Sequence, residues 1–134
     1  MITRRFMMGA LVLSLAGMTI GLPAAIAKSG DAKLTARLAG AAINRMVPKG
    51  VAESRSRADG SSQLKVQVEN ANLAGATLNV LIDNSKVGEL TIDAFLAGEM
   101  QLNTNDGQTV PPIGRGSTCV VTDQSGATIV AGTF

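Results

Sequence analysis

The sequence predicts an all-β chain: an antiparallel β-sandwich or small barrel of about eight short strands after an N-terminal signal peptide. Three observations carry that expectation. Apolar and polar residues alternate with a period of two over most of the chain after residue 31. Turn-forming residues interrupt the alternation at short intervals, and no stretch sustains a helical period. An alternating strand needs one buried and one wetted face, which an antiparallel sheet supplies.

The elements follow in order. Leu34, Ala36 and Leu38 share one face, with Lys33, Thr35 and Arg37 on the other. The segment from Gly40 to Gly50 breaks the pattern and holds the turn signature Pro48-Lys49-Gly50. Val51 to Ala58 then sets Ala52, Ser54, Ser56 and Ala58 against Glu53, Arg55 and Arg57, and Asp59-Gly60 starts a hairpin turn. The clearest strand has Leu64, Val66 and Val68 opposite Lys65, Gln67 and Glu69. Leu78, Val80 and Ile82 lie beyond a loop at 70–75, and Asp83 to Lys86 turns the chain into Val87 to Ile92. A bend around 93–98 leads to Met100 and Leu102. The last two strands are Ser117 to Thr122 and Thr128 to Phe134, separated by Asp123-Gln124-Ser125-Gly126. Ala41 to Met46 and Asp93 to Leu96 are each long enough for a single helical turn.

Residues 1–27 carry the features of a secretory signal. Arg4 and Arg5 form a positive start, Phe6 to Leu22 is uncharged and apolar, and Ala25-Ile26-Ala27 supplies small residues before a cut. The pair at Arg4-Arg5 is also a faint match to twin-arginine export, so the route of export stays open. The expected organisation is a signal peptide over 1–27 and a single β-domain over 28–134, located in the periplasm or secreted. Removal of the first 27 of 134 residues leaves 107 and lowers the basic count from 12 to 10, against 10 acidic residues. Such a neutral chain exerts no long-range pull on nucleic acid or an anionic membrane. Leu, Ile, Val and Phe make up 26 of the 107, above the roughly 20% below which chains stay disordered.

The composition excludes much chemistry. The chain has no His, Trp or Tyr and one Cys. It therefore has no imidazole base, no His-activated Ser or Cys, no His-ligated metal and no intrachain disulfide. The expected protein is not an enzyme, and no catalytic or cofactor-binding residue is assigned. The weak metal candidates are Asn103, Asn105 and Asp106 in the oxygen-rich run Asn103-Thr104-Asn105-Asp106-Gly107. EF-hand spacing fails there, because Leu102 falls at the first ligand position and Ile113 at the twelfth. A tight turn is the competing account.

Other features weigh less. Cys119 sits between Thr118 and Val120 and reads as a buried, inert thiol. Arg45, Lys49, Arg55 and Arg57 are interrupted by Glu53 and Asp59 and lack aromatic neighbours to stack a base. Among the carboxylates, including Asp83 and Asp93, no spacing marks an acid–base pair. The terminal Phe134 raises a membrane barrel, but about 107 residues without aromatic girdles is short for eight spanning strands and their loops.

The runs Leu38-Ala39-Gly40-Ala41-Ala42-Ile43-Asn44, Pro48-Lys49-Gly50-Val51-Ala52-Glu53, Leu64 to Asn70 and Asn103 to Gln108 resemble a group of small exported bacterial β-rich proteins without an assigned activity. That resemblance covers nearly all of residues 28–134. It implies bacterial export and an all-β fold and transfers no catalytic residue. A looser likeness to the CHRD domain lacks the histidines expected there. The functional expectation is an exported, non-enzymatic β-domain with a binding or envelope-structural role. It would engage a protein partner or a second copy through its strand edges, and neither nucleic acid nor, after cleavage, membrane. The alternative is a calcium- or ligand-stabilised module using the 103–107 loop.

Overall fold

A computed structural model describes residues 31–134, of which Ala32–Phe134 form one unit; the signal segment expected over residues 1–27 lies outside the described residues. Eight strands make up the unit: β1 Ala32–Ala39, β2 Lys49–Ser56, β3 Ser62–Glu69, β4 Thr77–Ile82, β5 Ser85–Thr91, β6 Gly98–Asn103, β7 Thr118–Thr122 and β8 Thr128–Thr133. All pair antiparallel in one sheet of order β5-β4-β7-β8-β1-β2-β3-β6. The sheet curls until its edges β5 and β6 pack against each other without a ladder between them. The result is a nearly closed barrel. Counting across that seam, β4 to β7 follow the spatial order of a Greek key, with β7 beside β4.

The alternation read from the sequence sets the inner face. Ala36 and Leu38 of β1, Ala52 of β2, and Leu64, Val66 and Val68 of β3 are buried, as are Leu78, Val80 and Ile82 of β4. Leu90, Met100, Cys119, Val121 and Val130 complete the filling, so the barrel interior is a packed core. In β8 strict alternation fails, since Ile129 and Val130 are both buried. A β-bulge explains it: the register with β7 shifts between Val121 and Thr122, where Thr122 faces Thr128 while Val121 faces Val130. A second bulge interrupts the β4–β5 ladder next to Val80 and Leu81.

Two short helical turns anticipated from sequence take other forms. At 41–46, Ile43 and Met46 exchange two backbone hydrogen bonds of 2.7 and 3.0 Å around Asn44 and Arg45. Both central residues have positive φ, 50° and 72°, which is hairpin geometry rather than helical. At 93–97 the Asp93 carboxylate closes a turn by accepting the amide hydrogens of Phe95 and Ala97 at 2.8 and 3.1 Å. The one short helix among the described residues is a 3-10 turn at Thr104–Asp106, inside the oxygen-rich run. Asp83-Asn84, with φ of 50° and 69°, makes the two-residue turn from β4 into β5.

Candidate functional site

The connections β1–β2, β3–β4, β5–β6 and β7–β8 gather at one end of the barrel, where a concavity of about 360 Å³ opens on the outer surface. From β2 it is lined by Gly50 and Val51, and from β3 by Gln67, Val68 and Glu69. Asp93 and Ala97 of the β5–β6 turn and Gly98 and Glu99 of β6 form the other wall. Register explains the shape. Gly50, Val68 and Gly98 lie in one row across the three strands, and Val51, Gln67 and Glu99 in the next. A β-carbon on Gly98 would stand 2.7 Å from the carbonyl oxygen of Thr91 and 2.8 Å from a methyl of Leu90. One on Gly50 would strike the carbonyl of Gln67. Both glycines share the inward parity of Val68, and bare backbone at these positions lets the strands and the core side chains approach this closely.

Exposed apolar surface concentrates here. Among the described residues the exposed large hydrophobic side chains are Val47, Val51 and Phe95, at 58%, 38% and 89% exposure, and all three belong to this end. Val51 lines the hollow, Phe95 tips the turn whose two ends line it, and Val47 lies three residues before Gly50. The ionisable groups facing the hollow are the carboxylates Glu69, Asp93 and Glu99. Lys65 reaches Glu99 at 3.7 Å, an exposed pair of little energetic weight. Lys49 pairs in register with Glu69 on the adjacent strand.

The residues singled out from sequence are scattered. Asn103, Asn105 and Asp106 lie at the opposite end, where the loop bonds to itself. The Asn103 side chain accepts from the Asn105 amide at 2.9 Å, and the Asn103 amide donates to the Gln108 side chain at 3.0 Å. Thr104 ties the loop to β3 by accepting from the Ser62 amide at 2.9 Å. Among the described residues no group of three or more Asp, Glu, Cys or His side chains is arranged to hold a metal ion. Asp83 accepts from the Thr118 amide at 3.0 Å at that same far end, whereas Asp93 borders the hollow. The length of β5 separates them, about 20 Å at strand rise, so they form no acid–base pair.

Cys119 is fully buried in β7, and desolvation pushes its thiol up to about 11. Phe134 is half-buried against the core; its amide donates to Ser117 and its carbonyl accepts from Gly116, both at 2.9 Å. Of the basic residues, Lys49 and Arg55 project with the polar rows of β2, and Arg57, in the turn that follows, donates to Gln63 at 3.2 Å. Arg45 occupies the 43–46 turn.

Sequence reasoning passed over the hollow. One signal for it was present: Val51 is apolar yet shares the outward parity of Glu53 and Arg55. Comparison with protein-family models, curated proteins and solved structures finds no match for this chain.

Proposed function

We propose that this chain is an exported, non-enzymatic β-domain, periplasmic or secreted, that binds a partner through the hollow between β2, β3 and the β5–β6 turn. The observation that carries this reading is that the exposed large hydrophobic side chains among the described residues, Val47, Val51 and Phe95, all lie at this end of the barrel, Val51 lining the concavity and Phe95 on the turn that borders it. Grouped exposed apolar side chains around a concave surface are a usual mark of an interaction site. Export is supported by the charged start, apolar run and Ala25-Ile26-Ala27 of the first 27 residues. The absence of His from the whole chain supports a binding role over a catalytic one.

A photo-crosslinking amino acid at position 95 tests the site. In a bacterium exporting the chain, the expected result is a discrete adduct from position 95 and none from position 105 at the other end. Equal labelling from both positions, or none from either, overturns the assignment. Fractionation and intact mass test export, with a mature start at Lys28 expected; a full-length chain retained in the cytoplasm refutes it.

A further inference from the structure

Resting on that reading of the hollow, we infer that its occupant is an extended peptide segment of a partner protein whose basic and apolar side chains alternate. The hollow has two chemically distinct kinds of lining. Val51, Ala97 and the neighbouring Phe95 offer apolar contact, and Glu69, Asp93 and Glu99 offer carboxylates. No Lys or Arg side chain lines it. The nearest cations along the chain, Lys49 and Lys65, lie on neighbouring strand positions, and Lys65 holds Glu99 only loosely at 3.7 Å. Asp93 spends one carboxylate oxygen on the turn amides of Phe95 and Ala97, which fixes its orientation and leaves the other oxygen for a ligand.

An extended segment sends successive side chains to opposite sides. Lying between the two walls, it therefore presents cations to Asp93 and Glu99 on one side and apolar groups to Val51 on the other at once. An acidic segment would place like charges against three carboxylates, and a wholly apolar one would desolvate them without supplying a new partner.

The test uses the purified protein and a fluorescently labelled peptide of alternating Lys and Val, about eight residues long. Anisotropy should show saturable binding that weakens as salt rises from about 50 mM to about 300 mM. The double variant Glu69→Gln/Glu99→Gln should weaken it about tenfold or more. Val51→Asn/Phe95→Ser should do the same at unchanged salt dependence. These four side chains are exposed or rim positions, and an unchanged melting temperature verifies folding. A peptide with Glu in place of Lys should not bind. Equal binding of the acidic peptide, or unaltered binding by the Gln variant, overturns the inference. If the Lys-Val peptide fails while position 95 still crosslinks a partner, the chemistry proposed here is wrong and the site stands. Failure of both removes the site as well.

Discussion

The thioether of Met100 on β6 occupies the space where a β-carbon on Gly88 of β5 would stand, so the two unpaired edges of the sheet meet through a side chain and a bare backbone. Met100 is 6% exposed, and its unbranched, polarisable chain suits an irregular gap of this kind. The barrel is sealed here by packing instead of hydrogen bonds.

That relationship predicts a coupled pair of mutations. Gly88→Ala overpacks the seam and should cost about 1–3 kcal/mol. Met100→Ala empties it at a cost of about 2–5 kcal/mol. In the Met100→Ala background the added methyl at position 88 has room, so Gly88→Ala should there be nearly neutral. Urea denaturation of the four proteins measures the coupling, and strict additivity refutes the seam contact.

Acid stability should depend on Asp59 and Asp123. A hydrogen bond from the hydroxyl of Ser61 is the main cause that lowers the Asp59 carboxyl, with the Ser61 amide next. For Asp123 the Ser125 hydroxyl leads, followed by the Ala127 amide. Both carboxyls titrate below the ordinary 3.8 in the folded state. Stability from a lowered carboxyl is present above that value and is lost as pH falls through the folded-state pKa. Asp59→Asn/Asp123→Asn should therefore flatten the acid limb of the melting-temperature profile below about pH 4. A limb as steep as in the parent excludes this account.

Cys119 should resist thiol reagents in the folded protein. With its pKa raised from 9.0 to about 11, scarcely any thiolate exists near neutrality, and burial blocks access. A disulfide reagent at pH 8 should react only as fast as the protein opens, and at ordinary thiol rates in denaturant. The same shift contributes stability below pH 9.0 that is lost as pH rises through about 11. Rapid labelling of the native state contradicts this placement.

Asn44 and Asn72 exchange side-chain amide to carbonyl hydrogen bonds of 3.2 Å in both directions, tying the β1–β2 connection to the β3–β4 loop. Asn72→Ala should cost about 1 kcal/mol and raise amide exchange at Ile43 and Met46. Asn44→Gly, which keeps the positive φ of 50° accessible, should cost no more than that, whereas Asn44→Ala adds backbone strain. Equal effects of Gly and Ala at 44 would show that the turn geometry is unimportant.

In the loop at 103–108 the Asn103 side chain is already held by the Asn105 amide and Asp106 is the single carboxylate, so millimolar calcium should leave the melting temperature unchanged, as should Asp106→Asn. A calcium-dependent rise abolished by that substitution would instead establish the loop as a cation site.

Much of the strand content was legible because burial imposes a period of two. Ala36, Leu38, Leu64, Val66 and Val68 face inward in the parity expected. The legibility stopped where a local feature depended on a distant partner. The doublet Ile129-Val130 breaks alternation only because β8 bulges against β7. The 41–46 segment has the length of a helical turn, yet Ile43 pairs with Met46 and Asn44 holds Asn72 across 28 residues.

The candidate site was barely legible. Gly50 and Gly98 look like ordinary turn glycines in sequence, 48 positions apart. They become the floor of a hollow because β3 lies between β2 and β6 and places both beside Val68. Alternation, turn residues and the lack of His are properties of neighbours along the chain, and they determined an all-β chain without imidazole chemistry. Strand order, the β5–β6 seam and the hollow that Val51 shares with Asp93 and Glu99 arise from the placement of residues remote in sequence. Only the curled sheet brings such residues together, since a period-two pattern specifies which face a side chain takes and carries no information about which strand lies beside it.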